Sequence, residues 1–171
     1  CQGDMSLFNQ EYPTTEESAF ISSGRSVFAH SAMNELIHKS NAMYESKPPE
    51  KYRVPVNEFR RVRGDTSMKY YLDPEDFGEL KVWSHPVYDR EYRIGADVSE
   101  GIEISTKDTD WSVACVIDSE TYEECATWRG KIDPDLFAWV CSALGNYYNS
   151  ALVGVERNNQ GLTTLTSLRN T

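Results

Sequence analysis

Hydrophobic and polar positions follow two different periods along this chain, and the changes of period divide it into predicted elements. Residues 29–43 place apolar side chains at helical spacing, which predicts one amphipathic helix. Residues 1–28 are rich in Gly, Pro, Ser and Thr and are expected to form loops. Three short strand-like runs are predicted at residues 52–56, 68–72 and 80–83, with turns at Gly64-Asp65 and Asp73-Pro74.

The pattern is sharper after Glu91. Residues 92–98 form a strand-like run that includes Asp97, and a polar loop is predicted from there to Asp110. Two further strands at 111–117 and 122–128 are joined by a turn at 118–120.

Asp133-Pro134 is typical of a helix start, with Asp as N-cap and Pro at the first helical position. Residues 151–155 form a continuous apolar run, typical of a strand buried on both faces of a parallel sheet. Gln160-Gly161 opens a second helix, expected to run to the end of the sequence. The order β-β-β-α-β-α predicts a mixed sheet covered by helices.

Composition narrows the class of protein. The chain has 171 residues, of which 39% are hydrophobic and 12% aromatic, so it can bury a core and is not expected to be disordered. Its apolar runs are only a few residues long, which excludes a segment that spans a bilayer. The N-terminus lacks the basic, apolar and small-residue pattern of an export signal. Because the chain begins with Cys1 and ends in a polar run, we expect it to be a piece of a longer protein.

The charge of the chain limits how it could bind nucleic acid. The formal net charge is −10, and residues 92–171 carry 12 acidic against 6 basic side chains. This balance argues against binding nucleic acid by bulk electrostatics alone, and the clustered acid predicts either a solvated face or a cation site. Cys1, Cys115, Cys125 and Cys141 form no CxxC pair, so we expect free thiols, buried where they lie in strands and helices, rather than a zinc site.

Two carboxylates stand at the ends of apolar strands. Asp97 closes the first strand of the sharper region, and Glu156 follows the run at 151–155. If these strands are parallel neighbours, roughly 4.8 Å apart, both side chains lie at one edge of the sheet, where open α/β sheets bind ligands. A divalent cation removes the repulsion between close carboxylates. The alternative for each residue is an ordinary turn or cap.

Three blocks carry a resemblance to a known family. They are Tyr92-Arg93-Ile94-Gly95-Ala96-Asp97-Val98-Ser99-Glu100-Gly101, Asp108-Thr109-Asp110-Trp111-Ser112-Val113 and Val153-Gly154-Val155-Glu156-Arg157-Asn158-Asn159-Gln160-Gly161. Together they resemble the nuclease domain of tailed-phage terminase large subunits, which package viral DNA. Residues 8–28, with Phe8-Asn9-Gln10-Glu11-Tyr12-Pro13 and Ser23-Gly24-Arg25-Ser26-Val27-Phe28, resemble the end of that family's ATPase domain.

The resemblance implies an α/β fold: a ribonuclease H-like mixed sheet flanked by helices, truncated at its C-terminus and preceded by the tail of an ATPase domain. Residues 1–49 would end the ATPase domain and form a linker helix. Residues 50–90 would be a linker with the first strands of the nuclease domain, and residues 91–171 an incomplete nuclease core. The chain contains no GxxxxGK[ST] phosphate loop, so the resemblance places ATP only in a missing upstream domain.

The same resemblance assigns roles to single residues. Asp97 matches the first-strand metal ligand, Glu156 the second carboxylate, and Asp110 the loop ligand, with Asp108 as a rival. These residues are the implied catalytic and metal-binding set. The family's third core carboxylate would fall beyond Thr171. Two Mg²⁺ or Mn²⁺ ions roughly 3.5–4 Å apart can activate water and stabilise the charges of phosphodiester hydrolysis. We expect Asp97 to bridge both ions, Glu156 to hold one, and Asp110 to be a lesser ligand or to orient others.

The implied function is endonucleolytic cleavage of concatemeric double-stranded DNA during genome packaging. Implied partners are the DNA, a terminase small subunit and a portal protein, with several copies of the chain forming a ring on the portal and no membrane involved. The implied location is the bacterial host cytoplasm, with transient attachment to the procapsid. Two other functions remain open: a fragment of an actin-like phosphotransferase or ATPase, and a non-catalytic module that docks onto the capsid portal.

Several further residues have two interpretations each. Asn158 either has a functional role, in which it orients Glu156 or contacts DNA, or simply starts a helix, and for Asn159 the helix start is favoured. Glu100 and Glu103 are interpreted as solvated loop charges rather than extra ligands. The basic stretch Lys51, Arg53, Arg60, Arg61 and Arg63 either contacts a DNA backbone or, the favoured interpretation, belongs to a mixed surface. His30, His38 and His85 show no ligand partner in the sequence and are expected to be surface or cap residues. Tyr147-Tyr148 is expected to pack in the core.

Overall fold

The computed structural model of this chain describes residues 30–61, 70–99 and 110–171. The chain divides into two compact units, Cys1–Lys47 and Pro48–Thr171. The division falls close to the boundary predicted after residue 49. The assignment of the first unit to an ATPase domain stays a prediction.

In the first unit, helix α1 spans His30–Ser46. It confirms the helix predicted from the apolar spacing and extends three residues beyond the predicted end. The apolar residues that define its stripe are solvent-exposed among the described residues. They are Met33, Leu36, Ile37 and Met43.

The second unit contains a mixed sheet and three helices in its described part. Its strands are β1 (Glu50–Arg53), β2 (Asp73–Pro74), β3 (Leu80–Val82), β4 (Tyr92–Asp97), β5 (Ser112–Asp118), β6 (Glu124–Gly130) and β7 (Leu152–Val155). Its helices are α2 (Val56–Arg61), α3 (Pro134–Tyr147) and α4 (Asn159–Leu168). No helix in the described residues is long and apolar enough to cross a membrane.

The seven described strands form one sheet in the order β2-β1-β3-β6-β5-β4-β7. Every neighbouring pair is antiparallel except β4 and β7, which run parallel. Strands β4, β5 and β6 are consecutive antiparallel neighbours, and α3 then leads to β7, which lies beside β4. This arrangement, with α4 following, is the ribonuclease H-like fold and confirms the predicted fold class.

The core lies where α3 packs against the sheet. Inward residues of β4 and β5 alternate with exposed or half-buried ones, as the period-two pattern predicts. Phe137 of α3 is fully buried, and its ring lies 5.4 Å from that of Trp128 on β6. Tyr148 is also fully buried, and its hydroxyl donates to the carbonyl of Ser84 at 2.8 Å. The expected core role of the Tyr147-Tyr148 pair is therefore confirmed for Tyr148.

Cysteines behave largely as expected. Cys125 and Cys141 are buried free thiols, and Cys115 is half-buried. Burial raises the pKa of the Cys141 thiol to about 12, so this thiol stays protonated and unreactive at neutral pH. Cys1 lies outside the described residues.

The structure corrects several predicted boundaries. The run at 52–56 is a strand only to Arg53, and the chain then turns into the short helix α2. Most of the run at 68–72 and the Gly64-Asp65 turn lie outside the described residues, while Asp73-Pro74 forms strand β2 instead of a turn. The strand predicted at 122–128 starts two residues later, because Tyr122 adopts a left-handed conformation with φ of 61° at the end of the hairpin turn.

The apolar run at 151–155 is not buried on both faces. Strand β7 lies at the edge of the described sheet, and the Leu152 side chain is 71% exposed. The prediction failed because a continuous apolar run fits an internal parallel strand and an edge strand equally well. Helix α4 also ends at Leu168, before the end of the sequence.

Candidate metal centre

The candidate site begins with the parallel pairing of β4 and β7. Ala96 lies opposite Val155 in this ladder, and the Glu156 amide donates to the Ala96 carbonyl at 3.0 Å. Asp97 is the last residue of β4, and Glu156 directly follows β7. The two strands are therefore parallel neighbours, as the sequence predicted, and both carboxylates emerge at the same edge of the sheet.

The two carboxylates also share a face of the sheet. Ile94 and Ala96 of β4 point into the core, whereas Asp97 is exposed. The observed β4–β7 register ends at Ala96 and Val155, and continuing it by one residue puts Asp97 beside Glu156, because side chains alternate along both strands. Adjacent strands lie roughly 4.8 Å apart, so two carboxylates on this row are within reach of a common cation.

A solvent-accessible cleft of about 560 Å³ opens beside this edge. Its lining residues are Asp97, Val98, Ser99, Asp110, Trp111, Asn158 and Gln160. The structure thus brings Asp97 and Asp110 to one cleft. Glu156 is not part of the lining and lies beside it, at the end of the neighbouring strand. Asp108, Glu100 and Glu103 lie outside the described residues, so the choice between Asp108 and Asp110 stays a prediction.

Asp97, Asp110 and Glu156 form no ion pair with a basic side chain in the described residues, although Arg157 is the next residue in the chain. Within residues 30–61, 70–99 and 110–171, no group of three or more His, Cys, Asp or Glu is placed to hold a metal. Asp110 therefore borders the cleft without completing a three-residue group, and the strand ends themselves supply two carboxylates. Mg²⁺ can be bound through one or two carboxylates while it keeps several waters.

Asn158 fixes the backbone that follows Glu156. It is the N-cap of α4, and its side-chain oxygen accepts a hydrogen bond from the Gly161 amide at 2.7 Å. Its amide nitrogen donates to the Val98 carbonyl at 3.4 Å, which ties the start of α4 to the segment after Asp97. The helix-start interpretation of Asn158 is thus confirmed. Because the residue also lines the cleft, its second interpretation stays a prediction. The side chain of Asn159 lies outside the described ones.

Gly161 allows a close approach of α4 to the strand end. A Cβ at this position would lie 1.9 Å from the carbonyl oxygen of Glu156. That carbonyl also accepts from the Asn158 amide at 3.0 Å. Only a residue without a side chain therefore lets the first turn of α4 pack on the backbone that carries Glu156.

Two buried serines lie beside the cleft, and the sequence analysis did not identify either of them as a site residue. Ser112 is fully buried and Ser99 nearly so. The Ser99 amide donates to the Ser112 hydroxyl at 3.1 Å, and the two hydroxyl oxygens also lie 3.1 Å apart. This link joins the segment after Asp97 to the start of β5, two residues after Asp110. The available signal was Ser112 itself, a polar residue at an inward position of an apolar strand.

Other predicted residues have structural partners. Arg53 pairs with Asp73 at 2.6 Å, Glu75 at 3.4 Å and Glu58 at 3.8 Å, which confirms the mixed-surface interpretation for this arginine. Arg63 lies outside the described residues.

His85 is an exposed residue, as expected, and it has two hydrogen-bond partners. Its Nδ1 lies 2.8 Å from the Tyr147 hydroxyl, and its Nε2 lies 3.1 Å from a Glu50 carboxylate oxygen. Hydrogen bonds from Tyr52 and His85 lower the pKa of Glu50.

Comparison with known proteins finds similar solved structures at less than 25% identity. No protein-family model matches the chain, and no curated protein does. Among solved structures, the large terminase nuclease from thermophilic phage G20c is 24% identical, with a TM-score of 0.45 over 55% of this chain and 48% of that chain. Its magnesium-bound form is 24% identical, with a TM-score of 0.47 over 56% and 47% of the two chains. Its zinc-bound form is 23% identical, with a TM-score of 0.43 over 56% and 54%. This chain thus spans about half the length of those nuclease structures.

Proposed function

We propose that this chain is part of a metal-dependent nuclease that hydrolyses phosphodiester bonds of DNA, within a viral DNA-packaging terminase large subunit. The observation that carries the proposal is the placement of Asp97 and Glu156 at the ends of neighbouring parallel strands. Asp110 borders the same cleft as Asp97. The three sequence blocks that resemble terminase nucleases contain these same residues.

In this proposal some residues bind the cation, and others fix the backbone segments that carry the cation-binding residues. Asp97 and Glu156 would hold a divalent metal ion, with Asp97 bridging if two ions bind, and Asp110 would be a lesser ligand or orient others. Bound there, Mg²⁺ or Mn²⁺ supplies an activated water and stabilises charge on the phosphoryl and leaving oxygens. Asn158 and Gly161 fix the backbone after Glu156, while the Ser99–Ser112 link fixes the segment after Asp97.

The wider role follows from the resemblance. The substrate would be concatemeric double-stranded DNA, cut during packaging in the host cytoplasm by copies of the chain arranged on a portal. A small subunit would be a further partner. An acidic domain binds DNA weakly by itself, so partners that hold the DNA are consistent with a net charge of −10. Residues 1–49 would belong to the preceding ATPase domain.

A plasmid-nicking assay tests this function. The 171-residue chain is incubated with supercoiled DNA in Mg²⁺ or Mn²⁺, alongside Asp97→Asn and Glu156→Gln. Since metal ions contribute several kcal/mol to such transition states, each variant should lose about 100-fold or more in rate. Asp89→Asn is a matched control, because Asp89 is exposed, does not line the cleft, and has a φ of 66° that Asn tolerates.

The outcomes separate the candidate functions. Nicking that needs the metal and disappears in both site variants, but not in the control, supports the nuclease. Nicking that persists in Asp97→Asn would contradict the proposed ligand. If the chain neither binds metal nor nicks DNA, the non-catalytic docking module becomes the better account. Loss of metal binding in Asp97→Ala would exclude that module.

A further inference from the structure

Trp111 occupies an unusual position beside the candidate metal centre. It follows Asp110 directly, precedes β5 and lines the same cleft as Asp97. Its side chain is 45% exposed, whereas Trp128 and Trp139 are only 4% and 5% exposed. It also lines a second cavity of about 340 Å³. The indole ring therefore borders two cavities and remains accessible to solvent.

Two cations lie against this ring. The guanidinium carbon of Arg129 is 4.3 Å from the ring centroid, and the Lys131 ammonium nitrogen is 5.2 Å from it. Both distances are within the range of a cation–π contact. We call Trp111, Arg129 and Lys131 the Trp111 cluster. It combines an exposed aromatic ring with two positive charges in the segment of the chain where acidic residues outnumber basic ones by 12 to 6.

The sheet register aligns this cluster with the carboxylates. Asp97 pairs with Val113 on β5, and Val113 pairs with Arg129 on β6. Because directly paired residues lie on the same face, Asp97 and Arg129 belong to one row across the sheet. Glu156 extends this row beyond Asp97 on the other side. Two strand spacings separate Arg129 from Asp97, which is roughly 10 Å between their backbones.

The side chains of Arg129 and Lys131 can bind an anion. Neither Arg129 nor Lys131 forms an ion pair with a carboxylate in the described part of the chain, although Arg53 and Arg90 both do. Cations that stay unpaired in an acidic protein attract a mobile anion. A phosphate group suits a guanidinium because it can accept two parallel hydrogen bonds.

We infer that the Trp111 cluster binds one strand of DNA next to the carboxylates. Arg129 and Lys131 contact backbone phosphates, and the indole ring stacks on a base or deoxyribose. Phosphate contacts fix the position of a strand, and base–aromatic stacking adds affinity with little dependence on sequence. The inference rests on the proposed nuclease function, because it supplies the positive surface that the carboxylate row lacks. It gives a net acidic chain a local positive surface beside the carboxylates, while partners hold the rest of the DNA.

A binding assay without metal tests the cluster separately from cleavage. A fluorescein-labelled single-stranded oligonucleotide is titrated with the full 171-residue chain in EDTA at low salt, and its fluorescence anisotropy is recorded. Since stacking is worth a measurable share of such affinity, Trp111→Ala should weaken binding by about five-fold or more, while Trp111→Phe should retain most of it. Arg129→Ala should also weaken binding and should reduce the salt dependence by about 0.7 per lost phosphate contact.

Arg169→Ala is the matched control. Arg169 is exposed, caps the far end of α4 and belongs to no ion pair among the described residues, so it removes the same charge elsewhere. Circular dichroism checks that each variant folds, and Arg129→Ala leaves the indole in place if Trp111→Ala does not fold. Weaker binding in the cluster variants, with the control unchanged, supports the inference. Equal binding in all variants, equal loss in the control, or no binding by the unmodified chain overturns it.

The nicking assay keeps the two proposals apart. If Trp111-dependent binding is found but no variant nicks DNA, the strand-binding surface stands and the nuclease function fails. If the unmodified chain nicks DNA and the Trp111 and Arg129 variants bind and nick equally well, the surface fails and the nuclease stands. In that second case the cation–π contacts would stabilise the folded protein but would not bind DNA.

Discussion

Gly161 offers the sharpest test of how the fold positions Glu156. Replacing it by Ala would place a Cβ 1.9 Å from the Glu156 carbonyl oxygen, and Cβ atoms in real structures essentially never approach other atoms closer than 3.0 Å. The obstacle is backbone rather than a flexible side chain. The first turn of α4 and the end of β7 must therefore move apart. The hydrogen bond from the Gly161 amide to Asn158 is then strained.

The magnitude follows from two opposing effects. Overpacking of a tight contact costs about 1–3 kcal/mol. Ala is favoured over Gly inside a helix by about 1 kcal/mol, which offsets part of that cost. We expect Gly161→Ala to lower the free energy of unfolding by up to about 2 kcal/mol. Because a displacement of about 1 Å at a catalytic group can cost about 100-fold in rate, the effect on DNA nicking should be larger than the effect on stability.

Urea denaturation and the nicking assay measure the two effects. Gly154→Ala is the matched control, because it makes the same chemical change on β7, two residues before Glu156. A Cβ at Gly154 would meet the Ile94 carbonyl oxygen at an ordinary 3.7 Å. This variant should be neutral or slightly stabilised, since Gly weakens a strand by about 0.5–1 kcal/mol. If Gly161→Ala unfolds and nicks like Gly154→Ala, the positioning role assigned to Gly161 is wrong.

Three further predictions concern stability and pH. Asn158→Ala removes the N-cap of α4 and should cost about 1 kcal/mol in urea denaturation, whereas Asn158→Ser should cost less; equal losses would argue against capping. Phe137→Ala empties a fully buried position and should cost about 3–5 kcal/mol in the same assay, and a loss below 1 kcal/mol would contradict the described core. Hydrogen bonds from Tyr52 and then His85 lower the pKa of Glu50 below its ordinary 4.5, so their contribution to stability is present above that pH and is lost as the pH falls through the folded-state pKa. In Tyr52→Phe the carboxyl pKa, followed by NMR, should rise toward 4.5, and no change would refute the network.

Much of the fold could be predicted from the sequence because its core elements carry strong periodic signals. The alternation in β4 and Pro134 at the start of α3 each mark an element locally, although the Asp133 side chain makes no capping hydrogen bond. The edge position of β7 could not be predicted, because it depends on which strands join the sheet. The shifted start of β6 depends on the left-handed conformation of Tyr122, which no apolar pattern records.

The candidate site divides in the same way. The meeting of Asp97 and Glu156 followed from two strand ends and the assumption of parallel pairing, which the register confirms. The contact that makes Gly161 necessary depends on the exact approach of α4 to β7. The stacking of Arg129 on Trp111 depends on the pairing of β5 with β6. Both features need three-dimensional distances, so the sequence could supply only their residue types.

The central claim is that Asp97 and Glu156 share a divalent cation at the carboxyl ends of β4 and β7. Crystals of the chain soaked in Mn²⁺ would test it most directly through anomalous difference density. The account predicts a peak contacted by both carboxylates and lost in Asp97→Asn. A map with no peak at this edge, or a peak bound only by other residues, would contradict it.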